Sequence, residues 1–481
     1  MANHLDGGLG AALFERGCRG KTMNTLMLSR IQFGLTVSFH YIFPLLSIGL
    51  GVMMVIMEGM YIKTRDRKWE QMTRFWTGIF ALTFGLGVAT GIVMEFEFGT
   101  NWANYSRFVG DIFGAPLAAE GIFAFFLESG FLSILLFGWD RVGAKMHFFA
   151  TIMVSLGSIF SALWINVANS WMQTPDGFVL VKNAQGKVIG ARMTNFWTVV
   201  LNHSTVDRLE HVLIGAFLSG AFLVMSVAAW YLLKNRHLPI ARSCMKVGLI
   251  VAIGCSLLQL LTGDFNARMI AKYQPAKLAA FEGAFPADAP EGLGIVGWVN
   301  QARQKVYGLE IPGMLSWLLY GNTSRPVEGL DAFPAKNWPP VNPVFQSYHA
   351  MVGLGMFLIF ISFLGAFYWW RNTLWTRRWL LWIFVFSVIA PLAANELGWF
   401  SAEVGRQPWI VYGILRTSQG VSPGLPAGDV LASIIMFGIL YALLFALFIF
   451  MLNRKIQHGP DDAPLHLPDG QPLPQHARLD A

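Results

Sequence analysis

Side chains able to ligate a metal or move a proton stand inside otherwise apolar stretches, among them His40, Glu95, Glu97, Glu120, Glu128, His211, Met351, Glu396 and Glu403. Ionisable groups in membrane-length apolar runs are costly and mark proton, ion or cofactor sites. No lysine or arginine accompanies them at mid-run, unlike the ion-paired charges of a transporter bundle. Imidazole with thioether suits a six-coordinate electron-transfer haem, and carboxylate or imidazole with an open position suits a ligand-binding one. Taken singly, a histidine in an apolar helix is more often a hydrogen-bonded core residue, and a methionine is nearly always packing. On the topology derived next, His40, Glu120, His211, Met351 and Glu403 all fall near the same ends of their helices, so they are expected at one level; together they weigh an iron site evenly against core packing. Glu120, Ala124 and Glu128 follow at i, i+4 and i+8, which puts both carboxylates on one helical stripe, with Asp140 just past its end. Such a row reads as a proton relay, its rival being interhelical hydrogen bonding by protonated acids.

The chain that must position these groups has 481 residues, of which 54% are hydrophobic and 13% charged, with a mean hydropathy of +0.49. A soluble domain carries about a quarter charged residues, so lipid is the expected solvent. A bilayer core of ~30 Å takes ~20 apolar residues per helix. About nine runs qualify: 35–57, 75–98, 115–137, 147–168, 211–233, 245–263, 345–370, 379–399 and 428–452. The fold class is therefore an all-α integral membrane bundle. The net charge of +7 does not signal nucleic acid, because the basic residues sit in short clusters between the runs. Those clusters follow the odd-numbered runs (Lys63 to Arg74; Arg141 and Lys145; Lys234 to Lys246; Arg371 to Arg378; Arg454 and Lys455), which places the N-terminus outside and the C-terminus in the cytoplasm. Arg16, Arg19, Lys21 and Arg30 in the N-terminal tail argue the other way, against four agreeing connections. Cys18, Cys244 and Cys255 form neither a CxxC pair nor a metal spacing, and no apolar signal-peptide core precedes residue 20.

The expected organisation is a tail and interfacial segment over 1–34, six helices over 35–263, an outer loop over 264–343, three helices over 344–456, and a flexible cytoplasmic tail over 457–481. The segment between the fourth and fifth runs contains a hairpin-like piece around 182–187. A connection as long as 264–343 inside a compact bundle is usually functional.

Several stretches are more specific than composition. LSRIQFGLTVSFH (Leu28 to His40), GVATGIVMEFEFGTNW (Gly87 to Trp102), GDIFGAPLAAEG (Gly110 to Gly121), FFLES (Phe125 to Ser129), GWDR (Gly138 to Arg141) and GWFSAEVGRQPW (Gly398 to Trp409) closely resemble cytochrome bd quinol oxidase subunit I over nearly the whole chain. The resemblance implies that His211 and Met351 ligate a low-spin haem b. It implies that His40 and Glu403, with Glu120 beside them, serve a dihaem oxygen site holding a high-spin haem b and a haem d, or a further haem b in its place. Trp399 and Arg406 lie in the same motif and are expected to bind cofactor. Lys277 and Glu282, in QPAKLAAFEGAF, match quinol-interacting residues, and Glu128 and Glu95 match acids of proton delivery or the haem environment. His349 stands where many relatives carry arginine two residues before the methionine ligand. That departure and the short 264–343 loop resemble the cyanide-insensitive branch.

The implied activity is a terminal oxidase of the bacterial inner membrane, taking electrons from quinol outside and reducing dioxygen to water with cytoplasmic protons, without pumping. Its implied partners are a subunit II and a small single-helix accessory subunit. A cytochrome b anchor subunit would need only bis-ligated haem, and a proton-coupled transporter would show inverted repeats and broken helices, which this sequence does not show.

Overall fold

The computed structural model describes residues 24–286 and 289–461. Residues 1–23 of the expected N-terminal tail, with Cys18, and the last twenty residues of the C-terminal tail lie outside them, whereas 25–34 of that tail is helical. Among the described residues, nine helices are long and apolar enough to cross a membrane: α1 Thr25–Thr64, α2 Arg67–Thr100, α3 Ala103–Phe137, α4 Ala144–Gln173, α5 Thr205–Leu233, α6 Leu238–Tyr273, α7 Val341–Trp370, α8 Arg378–Val404 and α9 Ala427–His458. Each overruns the apolar stretch that announces it; α1 starts at Thr25 rather than residue 35, because an Asn24 side-chain cap on Leu26 N, not an end of hydrophobicity, sets its first turn. The α1–α2 turn is made by Arg65 in the left-handed region (φ 58°) followed by the Asp66 cap on Lys68 N.

Small residues set the packing. A Cβ on Gly49 of α1 would stand 2.2 Å from Ala216 O of α5, and one on Gly220 would stand 2.3 Å from the Gly49 carbonyl carbon. Two helix backbones touch there, the close approach that small residues permit inside membranes. α5 is the central helix, with 72% of its apolar window buried, whereas α9 has 11% and α3 17%. The outer faces of α3 and α9 therefore meet lipid or another chain.

Among the described residues, three two-stranded antiparallel hairpins decorate one end of the bundle: β1 Phe178–Lys182 with β2 Val188–Met193, β3 Leu293–Asn300 with β4 Lys305–Ile311, and β5 Trp409–Val411 with β6 Leu415–Arg416. They belong to the α4–α5, α6–α7 and α8–α9 connections, so they share this hairpin end. The first is the hairpin expected around 182–187. The basic clusters occupy the opposite end.

Candidate functional site

Glu403 sits in the last turn of α8, and polar side chains meet its carboxylate. Its Oε1 accepts from Asn169 Nδ2 at 2.9 Å and from Gln173 Nε2 at 3.1 Å, both on α4, and its Oε2 accepts from Arg406 Nη2. Arg208 of α5 donates to Asn169 Oδ1, and Lys277 donates to Gln173 Oε1 and, at 2.6 Å, to Gln274 Oε1. Lys277 is 1% exposed. Three cations thus surround one carboxylate, an excess of two positive charges with Lys277 protonated. Burial, then Arg208, push the Lys277 ammonium well below its usual range, against the pull of Glu403. Nε and Nη1 of Arg406, Nε of Arg208 and Nε2 of Gln274 are buried without a hydrogen-bond partner. A buried guanidinium with idle donors calls for an anion with oxygen acceptors.

His211 and Met351 lie level with each other, a few residues from Glu403 along α8. Asn395 donates to Gly215 O at 3.4 Å, and Met351 Sδ comes 2.8 Å from where a Gly398 Cβ would stand. His211 lies four residues from Gly215 and Gly398 three from Asn395, both toward the hairpin end, so at 1.5 Å per residue the two share one level to within about 2 Å. Gln259 and Thr262 of α6 reach the His211 ring at 3.1–3.2 Å. Trp399, half-buried, follows Gly398.

The expected common level for all five candidates does not hold. Glu403 and Glu120 meet α4 eight residues apart, at Asn169 and Ser161, which is about 12 Å along the axis. The helices overrun their apolar runs unequally, so distance from a helix end is a poor measure of depth. His40 bonds Thr90 of α2 at 2.9 Å, with its Cε1 packed 3.2 Å from the place of a Gly91 Cβ.

Glu120 Oε1 accepts from Ser161 Oγ at 2.6 Å and Glu128 Oε1 from Ser158 Oγ at 2.8 Å. Both acids therefore face α4, as the stripe predicts, although Glu120–Phe125 is a π-helical segment that the i, i+4 count does not foresee. Such widened turns concentrate at functional sites. Gly157 makes the room, since a Cβ there would strike Glu128 Cγ at 2.6 Å. Glu95 is exposed on the rim of α2.

Lys277 and Glu282 share the short helix Pro275–Glu282 but point into different surroundings. Lys277 joins the Glu403 cluster. Glu282 lies 4.0 Å from His349 Nε2, beside Tyr348 and the Gly294 backbone, with neither oxygen in full hydrogen-bonding geometry. The apolar pair between them, Leu278 and Phe281, is packed in the core with Met269, Ile270 and Leu315. Both ring nitrogens of His349 face carbonyl oxygens, Phe345 at 2.9 Å and Gly294 at 3.1 Å.

Besides Arg208, Asn169 and Gln173 of the Glu403 cluster, a buried pair is not apparent from the sequence. Glu58 of α1 and His147 of α4, each 1% exposed, bond at 2.7 Å, and Thr151 donates to the other Glu58 oxygen. The first apolar run ends at residue 57 and the fourth begins at 147, so both fell at window edges. The available signal was the polar spacing His147, Thr151, Ser155, Ser158 and Ser161, a single stripe of α4.

Nine apolar helices around a row of buried acids, a His–Met pair and a cation-rich carboxylate define a multi-pass membrane protein built to move charge. Residues 28–460 match the family model described as cytochrome bd terminal oxidase subunit I. The chain is 38% identical to the cytochrome bd ubiquinol oxidase subunit 1 of Bacillus subtilis, covering 91% of this chain and 95% of that one. It is 33% identical to the cytochrome bd-II ubiquinol oxidase subunit 1 of Escherichia coli, over 90% and 96%. Its fold superimposes on a chain of the bd oxidase of Geobacillus thermodenitrificans with a TM-score of 0.83 at 31% identity, covering 91% and 100%.

The chain belongs to the cytochrome bd terminal oxidase subunit I family. It is thus a subunit of a haem-containing terminal oxidase, a multi-pass protein of a bacterial cytoplasmic membrane whose normal companion is a subunit II. The residues present fit haem: an imidazole and a thioether at one level, and idle guanidinium donors suited to carboxylates such as propionates.

Proposed function

We propose that this subunit oxidises quinol at its hairpin end and passes the electrons to dioxygen, which becomes water with protons drawn from the basic end. The observation that carries this reading is the Glu403 cluster, with its buried cation excess and idle donors. Relatives named as ubiquinol and menaquinol oxidases support the substrate class. When bound, haem supplies electron transfer and oxygen activation, and the protein supplies ligands, orientation and proton access. His211 and Met351 would hold the low-spin haem b. His40 and Glu403, with Glu120 and Trp399 nearby, would hold between them a high-spin haem b and a haem d or a further haem b. Arg208, Arg406 and Lys277 would neutralise propionates, and an arriving anion would restore the Lys277 ammonium.

Basic clusters at one end support a cytoplasmic placement of that end, with the hairpins outside. Protons would enter along α4, from the Glu58–His147 pair past Thr151, Ser155 and Ser158 to Glu128 and then Glu120, with Glu95 at the rim. Charge separation then follows from release outside and uptake inside, with no pumping element. The apolar outer faces of α2, α3 and α9, where Phe96, Phe126 and Ile439 stand exposed, would receive subunit II and a single-helix accessory subunit. The test is quinol-driven oxygen uptake by the complex in liposomes: it should release protons on the hairpin side. Uptake that releases them on the basic side, or none with quinol, contradicts the reading.

Glu282 would accept the quinol proton. Burial pushes its carboxyl up to about 8, the Glu291 carboxylate adding to the effect and contacts with Tyr348 and the Gly294 backbone opposing it. Below that pH the group carries its own proton; above it the carboxylate can accept one. Quinol oxidation should therefore rise through about pH 8, and Glu282→Gln should be slow and lack that limb, as a pH profile of kcat/KM would report. Met351→Leu keeps the volume but removes the sulfur, so the low-spin reduced-minus-oxidised band should shift and electron entry should slow. An unchanged band would remove Met351 from the ligand set.

A further inference from the structure

The hairpin β3–β4 is bolted to α7 by hydrogen bonds that rank its parts by depth. Gly294 O faces His349 Nε2 at 3.1 Å, Gly297 O accepts from Gln346 Nε2 at 2.7 Å, and Val299 N donates to Asn342 Oδ1 at 3.3 Å. As β3 advances from 294 to 299 it climbs α7 from 349 back to 342, about 10 Å along that helix. Its base is level with His349, less than a turn from Val352, a lipid-type residue of the membrane span that is 43% exposed. Its tip stands beyond the first turn of α7.

One face of this hairpin is accounted for. Val299 is buried, and Val306 presses to 2.5 Å of where a Gly283 Cβ would stand, so this face lies on the short helix Pro275–Glu282. The opposite face is free and apolar. Val296 pairs with Leu309 and Trp298 with Tyr307, and Leu309 is 67% and Trp298 62% exposed; Ile295 and Ile311 extend the patch at the base. Glu310 lies on the other face, beside Gly294. From base to tip the free face runs aliphatic (Ile311, Leu309, Val296), then aromatic (Trp298, Tyr307), then cationic (Lys305, with Arg303 in the turn).

We propose that this face rests on the bilayer, its aliphatic base in the acyl region, its Trp–Tyr pair in the interfacial belt and its cationic turn among phosphate headgroups. That order is the order of the bilayer itself, in which tryptophan and tyrosine gather at the interface and basic side chains reach the headgroups. A protein partner would require none of this gradient, and the base is continuous with the lipid-facing side of α7. The membrane therefore holds the α6–α7 loop from outside while the buried face holds Glu282 and the Gly294 backbone together. The proposal needs only that the bundle spans a membrane, and it stands or falls apart from the quinol reading.

The test uses the complete complex in vesicles of phosphatidylcholine and phosphatidylglycerol, with an environment-sensitive fluorophore on Leu309→Cys, on Trp298→Cys, or on Gln304→Cys at the turn. Cys244 and Cys255 are buried, and Cys18→Ser removes the other thiol. At 309 and 298, nitroxide-bearing lipid should quench several-fold more strongly than aqueous iodide, and at 304 the order should reverse. Iodide quenching at 309 equal to that at 304 would place the hairpin in water. Quenching at 309 by neither agent would mean that protein covers the face. Either result overturns the proposal, and the two positions on the free face guard against one label disturbing the hairpin.

Discussion

Glu128→Gln is expected to keep every haem and lose oxygen reduction, slowed by about 10²-fold or more, the usual weight of a positioned proton donor. Glu128 is buried against α4, its Oε1 accepts from Ser158 Oγ at 2.8 Å, and Gly157 leaves the space its side chain fills. Glutamine has the same size and keeps an oxygen for Ser158, so helix packing should survive. What it cannot do is give up a proton to the Glu120 carboxylate, whose own partner, Ser161, lies one turn along the same helix. Oxygen uptake and haem content, measured on one preparation, decide the matter. Loss of haem would make Glu128 structural, and wild-type turnover would require protons to enter elsewhere.

Glu403→Gln is expected to have the opposite signature. It removes the one protein carboxylate among Arg208, Arg406 and Lys277, leaving those buried cations without their side-chain counter-ion. Breaking a buried pair from one side costs about 3–5 kcal/mol, and the Arg406–Glu403 contact is well shielded, with side chains 5% and 15% exposed. The variant should melt at lower temperature and lose one oxygen-site haem, while the low-spin haem proposed for His211 and Met351, nearer the bundle centre, should stay. Glu403→Asp keeps the charge and should recover part of the haem. A Glu403→Gln complex with full haem content and unchanged Tm would show that Glu403 neither ligates nor balances charge.

Much of this was legible in the residues because membrane physics is blunt. Nine apolar runs yield nine helices, and the basic clusters separate one end of the bundle from the other. The i, i+4, i+8 stripe brought Glu120 and Glu128 to one face even across a π-helical turn, since both side chains are long enough to seek serines on α4. Depth was less legible. Counting from the ends of apolar runs put Glu403 level with Glu120, whereas cap residues such as Asn24, and polar turns that continue a helix past the bilayer, set the true ends. Long-range pairing was illegible altogether. Nothing local to Lys277 says that it turns toward Gln173, 104 positions earlier, while Glu282, on the same short helix, turns toward His349. The β3–β4 hairpin was equally hidden, because its alternation is broken by a bulge between Gly294 and Val296.

The most direct test of the central claim is a reduced-minus-oxidised spectrum of the purified complex, with quinol as the only reductant and oxygen admitted afterwards. The account predicts a low-spin haem b band and a high-spin signal that quinol develops and oxygen abolishes. A colourless protein, or haem that quinol reduces and oxygen leaves reduced, would contradict it.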